Sequence, residues 1–134
     1  MKRFIVVLVV LMGLVACGGG AEPTTDDVVA AFEQAGLECV DPHPGVFTDD
    51  SLVPKTFEEV TVCELPSQGE DDSLAIYRFS SEENLKQVKD FYEGFSGLFG
   101  SYLYQNGNLL VQTFNTMPIE LAEQYDEALQ SVGK

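Results

Sequence analysis

The residues able to do chemistry in this chain are few: one histidine, three cysteines and a set of adjacent acids. His43 stands between Pro42 and Pro44. A Ser–His–Asp or Cys–His arrangement needs that ring held rigidly beside a nucleophile, which a proline-flanked loop does not promise. The acids pair as Asp26/Asp27, Asp49/Asp50, Glu58/Glu59, Asp71/Asp72 and Glu82/Glu83. Glycoside hydrolysis needs two carboxylates facing each other in a cleft, and a small domain rarely encloses one. Neither Asp49-Asp50 nor Glu70-Asp71-Asp72 has the spaced D-x-D-x-D-G ligand pattern of a calcium loop, so both read first as solvated acidic turns. G-x-S-x-G, H-E-x-x-H, P-loop and G-x-G-x-x-G motifs are missing as well. The expectation is no catalytic residue, no metal and no cofactor.

The N-terminus is more specific. Lys2 and Arg3 precede an apolar run from Phe4 to Val15, broken only by Gly13. A transmembrane helix needs about 20 apolar residues. This run is shorter and reads as the h-region of a signal peptide, with a buried core helix as the alternative. It ends Leu14-Val15-Ala16-Cys17, which resembles the lipobox of bacterial lipoproteins at all four positions. The resemblance implies a diacylglyceryl thioether on Cys17, cleavage between Ala16 and Cys17, and a further acyl chain (palmitate, for instance) on the new amine. Each buried methylene contributes about 0.8 kcal/mol, so one chain holds marginally and two or three hold firmly. The implied location is the cell membrane, lipid-anchored, facing outside the cytoplasm.

The whole chain carries 7 Lys+Arg against 22 Asp+Glu over 134 residues, a formal charge of −15. Removing residues 1–16 takes Lys2 and Arg3 away, leaving 118 residues, five basic side chains and a side-chain charge of −17. Nucleic acid is excluded as a partner, because phosphate neutralisation needs Lys and Arg. Anionic headgroups repel such a domain, so it should stand off the bilayer on residues 17–25, a Gly-rich tether. Residues 26–134 are then a single domain.

With Cys17 assigned to lipid, Cys39 and Cys63 remain as an even pair in an exported chain. A disulfide is the default reading, with two buried free thiols as the alternative.

The elements that must position these residues follow from periodicity. Thr25 with Asp26 and Asp27 reads as a helix start, and Val28, Ala31, Phe32 and Ala35 recur at helical spacing up to Gly36, predicting a helix over 26–35. A short strand is expected over 37–40, then a loop without regular structure over 41–55. Strands are expected over 56–65 and 74–79, and Ser80 with Glu83 suggests a capping box before a helix over 81–95. Asn106-Gly107 between apolar runs predicts a type I′ hairpin of 101–105 with 108–114, followed by a helix over 118–132. The fold class is α+β: a mainly antiparallel, four- to five-stranded sheet with helices on one face, in tandem ββα order after one leading helix.

Four stretches carry a second resemblance: Asp27–Glu38, Tyr77–Glu93, Asn106–Gln112 and Pro118–Leu129. Together they resemble small, uncharacterised lipoproteins of Gram-positive bacteria. This implies a fold and no activity.

Strands 74–79 and 109–114 are apolar on both faces, whereas a one-sided sheet alternates. Either the first helix covers part of the far face, or an aromatic patch with Tyr77, Tyr102 and Tyr104 is open to a partner. The 41–55 loop, with Val46 and Phe47, is the preferred competing surface. The function expected is a non-catalytic binding or accessory module with a protein partner. The alternatives are an inhibitor- or immunity-like protein capturing a basic protein, and an enzyme of unrecognised type.

Overall fold

The computed structural model describes residues 22–95, 101–114 and 116–134. The segment read as a signal peptide, Cys17 and the Gly-rich start of the expected tether lie outside the described residues. Among those described, no helix is long and apolar enough to cross a membrane.

Helix α1 (Thr25–Gln34) begins one residue earlier than its sequence suggests, because Thr24 is the cap. The Thr24 hydroxyl accepts from the Asp27 amide, and the Asp27 carboxylate accepts from the Thr24 amide at 2.7 Å, a complete capping box. Thr24 and Thr25, assigned above to the tether, therefore belong to the fold. The helix stops at Gly36, whose φ of +74° carries a Schellman closure: Gly36 N–H bonds to the Glu33 carbonyl and Leu37 N–H to that of Phe32.

Strand β1 (Val40–Pro44) meets the strand expected over 37–40 only at Val40 and otherwise runs through the segment read as irregular loop. Prolines 42 and 44 are tolerated there because β1 is an edge strand and the pairing slips between Val40 and His43. Strands β2 (Phe57–Glu64) and β3 (Ser73–Phe79) follow, then helix α2 (Glu82–Gly94). The cap of α2 is Ser81, which accepts from the Asn84 amide at 3.1 Å; the expected Ser80/Glu83 box does not form. Strands β4 (Leu103–Asn106) and β5 (Leu109–Gln112) make the hairpin, and helix α3 (Ile119–Ser131) ends the fold. The hairpin loop is Gly107-Asn108, not Asn106-Gly107, since Asn106 pairs with Leu109. Only Gly107 has a positive φ (+58°), the type II′ pattern in place of type I′.

The five strands form one antiparallel sheet in the order β1-β2-β3-β5-β4. Helices α1 and α3 share one face over a core of Val28, Phe32, Leu74, Ile76, Val111, Tyr125 and Leu129. Helix α2 covers the other face over Val60, Tyr77, Phe79, Leu85, Val88 and Leu110. The expectation of helices on a single face is thus corrected. Strands β3 and β5 bury side chains on both sides, and each apolar side needs its own cover. The far face lies under α2, not under α1. The tandem ββα order is present along the chain, yet α2 and α3 go to opposite faces.

Cys39 and Cys63 are bonded, with Cα atoms 4.7 Å apart. The bridge ties the chain entering β1 to β2, beneath α1.

Candidate partner-binding surface

The segment between β1 and β2 is built from both ends inward. At its start, Gly45 N–H bonds to the Val60 carbonyl at 3.0 Å. A Cβ on Gly45 would meet Val60 Cγ1 at 2.8 Å, so the close approach to β2 requires glycine. Val60 is β-branched and has little freedom to move aside. At the other end, the Thr56 hydroxyl donates to the Asn84 carbonyl of α2 at 2.8 Å. In the middle, Ser51 N–H closes a turn on the Thr48 carbonyl at 3.0 Å.

Phe47 points into the fold. Its ring centre lies 4.9 Å from that of Phe57 and 6.3 Å from that of Tyr77, and Phe57 and Tyr77 are 5.7 Å apart. Val53 packs on the same cluster. The segment thus completes the cover that α2 gives the far face. Pinning Phe47 leaves its neighbours outside: Val46 is 88% exposed and Leu52 80% exposed, with Asp49 and Asp50 exposed between them. The outer surface is two aliphatic side chains flanking an acidic turn. Sequence reasoning singled out Val46 and missed Leu52. The signal was there, since Pro54 favours extended backbone at Val53, and adjacent side chains on extended backbone point to opposite sides.

The three tyrosines do not form one patch. Tyr77 is 1% exposed under α2, its hydroxyl donating to Gln112 Oε1 at 3.0 Å and sharing a 3.2 Å bond with the Tyr92 hydroxyl. Burial, then the Tyr92 hydroxyl beside it, pushes the Tyr77 phenol well above its usual range. Tyr102 and Tyr104 lie on the opposite face, half-buried against the α1/α3 core. Partial burial raises the Tyr104 phenol, and the carboxylates of Asp126 and Glu123 add to it. Tyr77 is therefore withdrawn as a surface contact.

His43 is held by its neighbours and not by a nucleophile. Its Nδ1 lies 2.7 Å from the Asp41 carbonyl and its Nε2 3.5 Å from Glu64 Oε2. Glu59, one member of an adjacent acid pair, has a structural task. Its carboxylate accepts from the Thr25 amide at 3.3 Å and from Arg78 Nε at 3.3 Å, joining the first turn of α1 to β2 and β3. Burial works to raise the Glu59 carboxyl, but the Thr25 and Arg78 bonds outweigh it and hold the group below the usual carboxylate range. Among the described residues, no group of three or more His, Cys, Asp or Glu is placed to hold a metal.

Arg78 also lines a cleft of about 300 Å³ against the hairpin turn, with Pro23 and Gly133 on its other wall. No known family, no curated protein and no solved structure matches the chain.

Proposed function

We propose that the chain is a lipid-anchored, extracytoplasmic binding module that captures a protein partner through the surface between β1 and β2. The observation that carries the reading is the exposed Val46/Leu52 pair around Asp49 and Asp50. Apolar side chains on a segment already ordered by Phe47, Gly45 and Thr56 lose little entropy when a partner covers them. The anchor is supported by the lipobox at Leu14–Cys17. The Cys39–Cys63 bond suits an oxidising compartment.

A second reading has its own support. A side-chain charge of −17 after cleavage, with two acids at the centre of the exposed surface, favours a basic partner in the manner of an inhibitor or immunity protein.

The test has two arms. Intact mass of protein extracted from native membranes should show residues 17–134 plus lipid, with Cys17→Ser abolishing the addition. Crosslinking from membranes should then yield a partner that Val46→Ser/Leu52→Ser loses. An unlipidated full-length chain overturns the anchor, and a partner indifferent to the double substitution overturns the surface.

A further inference from the structure

The two edges of the sheet are treated differently. The β1 edge is guarded: Pro42 and Pro44 have no N–H, Asp41 sits at φ +50°, and the pairing with β2 slips. The β4 edge, Leu103 to Asn106, has no proline, no charge and no bulge.

The hydrogen-bond parity of β4 is fixed by two observations. Thr113 N–H bonds to the Tyr102 carbonyl at 2.9 Å, so the peptide groups of Tyr102, Tyr104 and Asn106 face β5. Those of Leu103 and Gln105 face outward. In agreement, the Gln105 carbonyl is met from outside by Gln130 Nε2 at 2.8 Å. The outward row is then the Leu103 N–H and carbonyl and the Gln105 N–H, with no further strand among the described residues.

The two rims of this edge differ in charge. On the α3 side, Gln130 also donates to Asp126 at 3.0 Å, so a carboxylate stands one side chain away from the open backbone. Glu123 lies one turn back, and both carboxylates act on Tyr104 of β4. On the α2 side, Gln105 Nε2 donates to Glu82, and a groove of about 310 Å³ runs over Leu85 between Lys86, Lys89 and Asp90. That rim has as many cations as anions.

We infer that β4 is a strand-addition site for an extended basic segment of a partner protein, with Lys or Arg on alternate residues and aliphatic residues between. Opposite residues in a ladder share a face, so the partner's residues beside Tyr104 meet Glu123 and Asp126. Those beside Leu103 and Gln105 meet the groove over Leu85, where the charges of α2 balance and only the aliphatic part of the partner is held. A second copy of this chain fits poorly. A β4–β4 pairing about an axis through the sheet keeps faces together and sets Glu123 and Asp126 against their own duplicates. The inference deepens the binding-module reading by naming a partner chemistry, but needs neither the anchor nor the Val46/Leu52 surface.

The probe is a heptapeptide of alternating Lys and Val, blocked at both ends, added to the full chain in neutral detergent. Binding should slow amide exchange at Leu103 and Gln105. Two copies of the peptide, N-methylated at odd or at even residues, keep every charge, and at least one should bind about tenfold more weakly. Replacing each Lys by Glu, or making Glu123→Lys/Asp126→Lys, should weaken binding by about as much. Protection at other amides, or indifference to both N-methylations, overturns the inference in favour of general attraction to an acidic surface. Protection of Leu103 and Gln105 that rises with protein concentration before any peptide is added overturns it in favour of a dimer.

Discussion

The side-chain amide of Asn106 donates to the Leu129 carbonyl at 2.9 Å and to that of Val132 at 3.1 Å. The last residue of β4 thereby closes the end of α3. The last turn of that helix has no basic side chain to answer its terminal carbonyls, and among the described residues the Leu129 carbonyl otherwise accepts only from the Val132 amide at 3.1 Å. Asn106→Ala should cost about 1–2 kcal/mol, the range for losing bonds to partly buried carbonyls. Asn106→Asp should cost more, because it removes the donor and adds a charge of the wrong sign at a helix C-terminus. Urea denaturation at neutral pH checks both.

Phe47 and its neighbours should separate stability from binding. Phe47→Ala removes two ring contacts of the far-face cluster and should destabilise by about 2 kcal/mol, below the 3–5 typical of a fully buried ring because Phe47 is half-buried. Val46→Ser and Leu52→Ser should change stability by less than about 0.5 kcal/mol. Thermal melts of the three variants give the answer directly.

Alkali should act through Tyr125. Its hydroxyl donates to the Glu38 carbonyl at 2.6 Å, and its ring packs edge-on against Phe32. Burial first, and then the Glu38 carboxylate, pushes the phenol up to about 12, against the 10.0 of a free tyrosine. A folded value above the unfolded one gives stability that is complete below pH 10 and lost as pH rises toward 12. Tyr77, raised further, adds to the same alkaline limb. Tyr125→Phe should lower stability at pH 7 by about 1 kcal/mol and flatten the decline above pH 10. Denaturant midpoints taken across pH 7–12 test this.

Acid should act through Glu59. Its folded carboxyl lies below the 4.5 of a free glutamate, so its contribution is present above that value and lost as pH falls through the folded one. Glu59→Gln should be less stable than the parent at pH 7 and converge with it at pH 2–3. The effect should be small, since the carboxylate is 39% exposed and screened by solvent. Parallel melts from pH 2 to 7 follow the convergence.

Elements with a strong local signal were legible in the sequence. The α+β class, the three helices, the β2, β3 and β5 strands, and the Cys39–Cys63 bond all stand where periodicity and cysteine parity place them. The helix cap went to Thr24 because Asp27, three residues on, could return the bond, which is a choice between two adjacent threonines that spacing alone does not make. Strand β1 was expected too early, over 37–40, because the two prolines that follow argue against a strand unless it is known to lie at an edge. The surface was legible in part. Val46 could be named, but Phe47 turned inward because Phe57 and Tyr77, far from it in sequence, leave a gap that its ring fills. The assignment of α2 and α3 to opposite faces was hidden for a related reason: a strand buried on both sides gives a helix no instruction about which side to take.

The strand order β1-β2-β3-β5-β4 also sets how the chain can assemble in time. Pairing of β1 with β2, β2 with β3, and β4 with β5 is between neighbours along the chain, and hairpins form on the order of 1–10 μs. A single pairing is remote: Ile76 opposite Val111 and Tyr77 opposite Leu110, with all of α2 and β4 between them in sequence. The loop entropy of that one closure must be met before its contacts form. Two preassembled halves meeting along β3 and β5 should therefore limit the folding rate. Ile76→Val and Val111→Ala should slow folding, whereas substitutions at the β1 edge should mainly speed unfolding.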